Sequence, residues 1–188
     1  MSATKEIDVG KEMEKSSKTN SATKKKGKRF FKKPFNVEIE LIDGCTSDFI
    51  PEYKTKGAAG CDLKAREKLI LSPGDRCIVK TGIKIKFRNG FVGMVTPRSG
   101  LAINQGLTVL NAPGYIDSDY RDEIGVIVYN AGKEEITINE GDRVAQLSFL
   151  KVAKAKFNLV GELSADKVND RKGGFGSSGV NDSEEESK

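Results

Sequence analysis

Apolar residues recur at every second position in short runs, and turn residues cut each run off before a helix could form. Val37, Ile39 and Leu41 alternate with Glu38 and Glu40. Ile83, Ile85 and Phe87 alternate with Lys84 and Lys86, and Val126, Val128, Ile136 and Ile138 continue the theme. A period of two puts successive side chains on opposite faces, so these runs predict half-buried strands with one face on a core. Between them lie Ser72-Pro73-Gly74-Asp75, Arg88-Asn89-Gly90, Ala131-Gly132-Lys133 and Glu140-Gly141-Asp142. Glycine supplies positive φ and proline fixes φ, which predicts turns at these places. Leu71 to Arg76 and Ile138 to Arg143 share a Gly-Asp-Arg ending, which reads as one hairpin device used twice. Many short strands at this spacing predict an all-β sandwich or barrel. The one helix expected is Ser99 to Gln105, with a serine N-cap and an end at Gly106.

The flanks differ from this centre. Residues 1–33 are rich in Lys, Ser and Thr, lack apolar periodicity, and read as a disordered basic arm. The arm holds eleven Lys or Arg against four Asp or Glu, a charge of +7; the chain's net +5 therefore leaves −2 on the rest. The basic excess says little about the folded part. The run Lys24-Lys25-Lys26-Gly27-Lys28-Arg29 suits a nuclear address, a nucleic-acid contact or a merely solvated tail. Residues 34–169 form the expected β domain. Residues 170–179 are glycine-rich with one aromatic, Phe175, and read either as a flexible lid or as a linker. Residues 180–188 are an acidic tail expected to be disordered.

Composition narrows the chemistry. No run approaches the roughly 20 apolar residues that span a bilayer, and no apolar signal follows the polar N-terminus. The expected location is intracellular and cytoplasmic, with a nuclear one open if the host is eukaryotic. The three cysteines, Cys45, Cys61 and Cys77, are odd in number and widely spaced, which suits free thiols. The chain has no histidine, so a general base near neutral pH must be a carboxylate or a tuned lysine or cysteine. A zinc site is equally disfavoured, while an oxygen-liganded metal remains open.

Three patches look chemical. In Thr96-Pro97-Arg98-Ser99-Gly100, Arg98 offers a bidentate fork, and Ser99 and Gly100 open a short helix with free N–H groups, a cradle for phosphate. Asn111 to Glu123 holds four acids beside Tyr115 and Tyr120; Ile116 can anchor while its neighbours face a cavity. A carboxylate there can activate water, and a tyrosine can stack on a sugar or base. In Ala58-Ala59-Gly60-Cys61-Asp62, small residues permit close approach and Asp62 can orient metal-bound water.

In order, these patches resemble the five motifs of the trimeric deoxyuridine triphosphatase (dUTPase) family. Ala58 to Leu63 resembles the first, Pro97 to Ala102 the second, Asn111 to Tyr120 the third, Gly141 to Gln146 the fourth, and Arg171 to Gly179 the fifth. The resemblance spans about residues 35–179. It implies a jelly-roll-like β-clip domain, a homotrimer with shared active sites, and hydrolysis of dUTP to dUMP and pyrophosphate by water attack on the α-phosphate. That reaction limits uracil incorporation into DNA and supplies dUMP for dTMP synthesis.

Carried over residue by residue, Asp117 activates the water and Asp62 holds waters of a Mg2+ carried mainly by the triphosphate. Arg98, Ser99, Gly100, Gln146, Arg171 and Ser177 hold phosphates. Asn111, Gly114, Tyr115, Ile116, Tyr120 and Phe175 form the uracil and deoxyribose pocket, read largely by main-chain groups. The fifth motif is one residue shorter than usual before its paired glycines, which leaves Arg171 and Lys172 as alternatives for the terminal phosphate. Asp122 stands where the third motif commonly has glycine. The resemblance requires no nucleic acid and no membrane, and it assigns nothing to the basic arm, whose nucleic-acid contact stays open. A related fold carries dCTP deaminases, but the glutamate with supporting serine and arginine that deamination needs is not found. A regulatory protein on the same scaffold is the other alternative; retention of Asp117 and of the glycine-rich motif argues against it.

Overall fold

The computed structural model describes residues 35–164, and the chain divides into two units, Met1–Asn36 and Val37–Lys188. All the described secondary structure belongs to the second unit. Among the described residues eleven strands occur in chain order: β1 Glu38–Leu41, β2 Cys61–Lys64, β3 Leu69–Leu71, β4 Arg76–Lys80, β5 Ile83–Lys86, β6 Phe91–Pro97, β7 Leu107–Val109, β8 Gly114–Ile116, β9 Gly125–Asn130, β10 Ile136–Ile138 and β11 Arg143–Lys151. Among the described residues one α-helix, α1, covers Ser99–Gln105, and a single 3-10 turn covers Ser47–Phe49. The all-β expectation is met, with one short helix. No described helix is long and apolar enough to cross a membrane.

The strands form four antiparallel sheets: β1-β5, β10-β3, β4-β9-β7, and the four-stranded β2-β11-β6-β8. Their inward faces make the core, with Leu63, Val79, Ile83 and Val128 fully buried beside Leu71, Ile124, Val126 and Leu147. Alternation predicts most of this: Ile83, Ile85, Phe87, Val126, Val128, Ile136 and Ile138 are all buried. The first run departs from it. β1 pairs only with β5, and Ile39 is 37% exposed, so this strand is the edge of a two-stranded ribbon and not a half-buried core strand.

The two Gly-Asp-Arg turns also differ from expectation. Each closes with an i to i+3 hydrogen bond, Asp75 N–H to Ser72 C=O and Asp142 N–H to Asn139 C=O, both 3.1 Å. Each has glycine at positive φ in the third turn position, +83° at Gly74 and +82° at Gly141, where only glycine is unstrained. Neither turn makes a hairpin. β3 pairs with β10 while β4 pairs with β9, and β11 pairs with β2 and β6. The device is a corner that passes the chain from the small β10-β3 sheet into a larger one.

Asn130, wholly buried, fastens one corner. Its Nδ2 donates to the Leu71 and Glu134 carbonyls at 3.1 and 2.8 Å, and its Oδ1 accepts from Gly132 N–H at 2.9 Å. Its main chain bonds Gly74 and Asp75. Every bonding group of this buried amide in reach of the turn is thus used, as burial demands.

Candidate active site

Four motifs far apart in sequence arrive on one sheet. β2 carries the first motif, β11 follows from the fourth, β6 ends at the second, and β8 opens from the third. Gln146 pairs across strands with Asp62 on one side and Thr96 on the other. The next row pairs Ser148 with Met94 and Met94 with Tyr115. Direct cross-strand partners share a face, so Asp62, Gln146, Thr96 and Tyr115 look out from one side of the sheet. The other side is core: Cys61, Val95, Ile116 and Leu147 are buried. Gly60 lets the first motif lie this close. A Cβ there would stand 3.1 Å from Ser148 Oγ and 3.3 Å from Gln146 Cβ.

Asp62, 5% exposed, sits between two guanidinium groups. Arg98 Nε lies 3.4 Å from its Oδ1, and Arg143 Nη1 donates to its Oδ2 at 3.1 Å. Arg98 Nη1 also donates to the Arg143 carbonyl at 2.7 Å. The three residues form a closed triangle. Arg143 is not among the site residues expected from the sequence, although the Gly-Asp-Arg of the fourth motif places it at the first position of β11. The neighbouring Cys61 thiol is buried, donates to Leu147 C=O at 3.3 Å, and is pushed above its ordinary pKa by that burial. It stays protonated at neutral pH and is no nucleophile.

The helix after the second motif starts differently from expectation. Arg98, with extended φ and ψ of −90° and 126°, is the N-cap, and Ser99 is the first helical residue. The Arg98 side chain makes no capping hydrogen bond. The Arg98 side chain reaches back to Asp62, while its carbonyl accepts from Ala102 N–H at 3.0 Å. Ser99 and Gly100 are exposed. The helix does end at Gly106, at φ +74°.

The third motif forms the β7–β8 connection and the loop after it. Asn111 is exposed, and its Nδ2 is 3.3 Å from where a Gly114 Cβ would be, so its amide lies against the glycine backbone. Ile116 is 8% exposed, while Tyr115 is 68% exposed and Asp117 follows it to the surface. The Asp117 carboxylate makes no hydrogen bond or ion pair among the described residues. Tyr120 is 41% exposed, and its OH donates to Glu123 C=O at 3.0 Å.

Among the described residues, Asp117 and Arg98 line separate clefts. Tyr115 and Asp117 line a cleft of about 410 Å3 with Phe91, Ser118 and Lys154. Arg98 lines another of about 210 Å3 with Gln105, Asp142 and Arg143. A groove of about 510 Å3 between α1 and residues 131–137 holds none of the expected site residues. Arg171, Phe175 and Ser177, the glycine-rich segment, the basic arm and the acidic tail lie outside the described residues.

The family model for dUTPase matches residues 47–179. This chain belongs to the dUTPase family. Among its relatives, the deoxyuridine 5'-triphosphate nucleotidohydrolase of Anaeromyxobacter sp. (strain Fw109-5) is 48% identical over 130 residues, covering 69% of this chain and 87% of that one. The enzyme of the same name from Desulfotalea psychrophila is 46% identical over 148 residues, covering 77% and 97%. The solved dUTPase of Streptococcus mutans superposes with a TM-score of 0.59 at 30% identity, over 63% of this chain and 98% of that one. A dUTPase variant from Staphylococcus bacteriophage 80alpha, solved with dUpNHpp, reaches a TM-score of 0.67 at 24% identity, over 77% and 99%, a likeness of fold. The matched range takes in the glycine-rich fifth motif together with the four that the sheet gathers. In the outward row, Asp62 belongs to the first motif and Gln146 to the fourth, while Thr96 immediately precedes the second.

Proposed function

We propose that this chain hydrolyses dUTP to dUMP and pyrophosphate, with Asp117 as the base. The observation that carries this reading is an exposed carboxylate directly after β8, without a partner among the described residues, beside a cleft, in a chain with no histidine. Asp117 takes a proton from water as the water oxygen bonds to the α-phosphorus. The bond from that phosphorus to the α–β bridging oxygen breaks, and pyrophosphate leaves with the electron pair. Negative charge builds on the phosphoryl oxygens, where fixed donors stabilise it most. Arg98 is such a donor because the Asp62-Arg143 triangle fixes its fork. Ser99 and Gly100 at the start of α1 and Gln146 on β11 add neutral donors, and Arg171 or Lys172 with Ser177 takes the terminal phosphate.

The pocket for the base is assigned to the backbone of Gly114 to Ile116 with the Asn111 amide, with Tyr120 beneath the deoxyribose and Phe175 closing over the uracil. A pocket that pairs every polar edge of its ligand rejects a mismatched base by on the order of 10⁴-fold.

Magnesium fits the donor set in one way. Among the described residues no three acidic or thiol side chains cluster to cage a cation, and Asp62 turns both oxygens to arginines. A hard cation held chiefly by substrate phosphates, with Asp62 reaching only its waters, agrees with this. When bound, it supplies positive charge that offsets the triphosphate. The dUTPase of phage phi11 of S. aureus coordinates a structural Mg(II) ion, in a fold similar to this one.

A homotrimer with shared sites completes the proposal. One chain leaves Asp117 and Arg98 in separate clefts. After β11, residues 152–164 run without regular structure, and Phe157, Leu159 and Leu163 are 93%, 103% and 85% exposed. Such side chains are ordinarily covered by another surface, here that of a second copy. Replacing Asp117 with Asn tests the base: binding of a non-hydrolysable dUTP analogue should persist while kcat falls by on the order of 10²–10⁴-fold. Near-normal turnover in that variant would remove Asp117 from the role.

A further inference from the structure

The loop that carries Asp117 is fixed at its far end by a residue outside the expected site. Glu123 Oε1 accepts from the Gly82 backbone N–H at 2.8 Å, and its Oε2 pairs with Arg66 Nη1 at 3.4 Å. Both side chains are mostly covered, 19% and 26% exposed. The neighbouring residue is stitched to the same place. Thr81 N–H and Oγ1 both donate to Ile124 C=O, at 3.2 and 2.7 Å, and Ile124 N–H donates to Ile83 C=O at 2.9 Å. Arg66 is itself held by its N–H to Lys80 C=O at 2.9 Å. Gly82 has φ +74°, and a Cβ there would stand 2.5 Å from Cys45 Sγ, so only glycine presents its N–H to Glu123 this way.

Within the loop, Tyr120 N–H donates to Asp117 C=O at 3.1 Å, and Tyr120 OH donates to Glu123 C=O at 3.0 Å. Arg121 Nη1 donates to the carbonyls of Ser118 and Tyr120 at 2.9 and 2.7 Å. At the near end, β8 pairs Ile116 with Gly93. The Asp117 carboxylate, by contrast, has no partner of its own among the described residues. Its position is therefore set by the main chain, and the main chain is set by its two anchors.

We propose that Glu123 is a positioning residue for hydrolysis. It touches no reacting atom; it locks residues 117–123 so that the Asp117 carboxylate and the Tyr120 ring hold their places. The inference rests on Asp117 being the base. A carboxylate suits the role because it serves an N–H with one oxygen and a guanidinium with the other. Glutamine keeps the acceptor for Gly82 but offers an amide that is a poorer partner for Arg66. Alanine leaves both groups unpaired, the costlier loss.

The test uses the full chain with Glu123→Ala and Glu123→Gln, each alone and combined with Asp117→Asn. The readouts are kcat and KM for dUTP, and amide exchange at Gly82 and Tyr120. A base displaced by about 1 Å loses on the order of 10²-fold, so Glu123→Ala should lower kcat by about that factor and Glu123→Gln by about tenfold, with KM rising less than about fivefold. In the Asp117→Asn background, Glu123→Ala should cost less than about threefold more, because the group it positions has lost its function. Exchange at Gly82 and Tyr120 should quicken in Glu123→Ala. A kcat within about twofold of the parent in folded Glu123→Ala, or an equal factor lost in both backgrounds, overturns the proposal. If Glu123→Ala does not fold, the same comparison is made on Glu123→Gln, where an unchanged kcat overturns it. If the parent chain does not hydrolyse dUTP, the assignment of Asp117 fails on its own, while unchanged exchange in the variants separately overturns the anchoring.

Discussion

Asp62 shows how one buried charge organises a site. At 5% exposure a lone carboxylate would be costly, and two guanidinium groups offset that cost. The arrangement also works in reverse, since the carboxylate holds two arginines side by side that would otherwise repel each other. Asp62→Asn should therefore do more than remove a ligand for metal-bound water. Removing one partner of a buried pair costs about 3–5 kcal/mol, but Arg98 and Arg143 are 25% and 42% exposed, and water relieves part of that. Roughly 1–3 kcal/mol is expected, read as a lower urea midpoint with unchanged slope. Loss of kcat/KM should accompany it as Arg98 loses its brace. An unchanged midpoint would mean that the triangle contributes nothing to folding. Arg143 itself was hidden in the sequence: its motif was legible, but its bond to Asp62 spans 81 positions, and no local pattern reports such a pair.

At the scale of elements, helix α1 and its glycine stop show which local signals survive folding. Gly106 sits at φ +74°, and a Cβ there would meet Gly132 N at 2.4 Å, a backbone atom that cannot swing away. Gly106→Ala therefore combines left-handed strain with overpacking and should cost roughly 2–4 kcal/mol. Gly141→Ala shares the positive φ, +82°, but its Cβ would enter open space, so only about 1 kcal/mol is expected. Comparing the two midpoints in urea checks this; equal losses would show that the close approach at Gly132 does not matter. Gly106 was readable as a helix end because C-cap chemistry is local. The N-cap was not: Ser99 has the better capping side chain, yet Arg98, whose side chain meets the distant Asp62, is the cap, and Ser99 is the first helical residue. The corners at Gly74 and Gly141 make the same point. Their turn type is local and legible, but whether a turn joins two paired strands depends on partners elsewhere, here β10 for β3 and β9 for β4. Ile39 has the alternation of a core strand and still lies at an edge, because nothing local says whether a third strand will cover it.

For the whole molecule, the order β2-β11-β6-β8 turns four separated motifs into neighbours. The motifs themselves were legible as short runs of chemistry-bearing residues in a fixed order. The sheet order that unites them was not, because every cross-strand pair in it is long-range. What one chain does not unite is also informative, since Asp117 and Arg98 remain in different clefts and an apolar segment after β11 lies uncovered. Assembly of copies would supply both missing closures. Sedimentation should find a mass of three chains, and serine at Phe157 and Leu159 together should shift the protein toward smaller species with lower turnover. A fully active single chain would rule out shared sites. Assembly and anchoring both serve the reaction itself. Its most direct measurement is pyrophosphate release from dUTP, with UTP, dCTP and dTTP as controls, in Mg2+ and again in excess EDTA. Release from dUTP alone, lost with the chelator, is the predicted result. No release from any of the four, or equal release from all of them, would contradict the assignment.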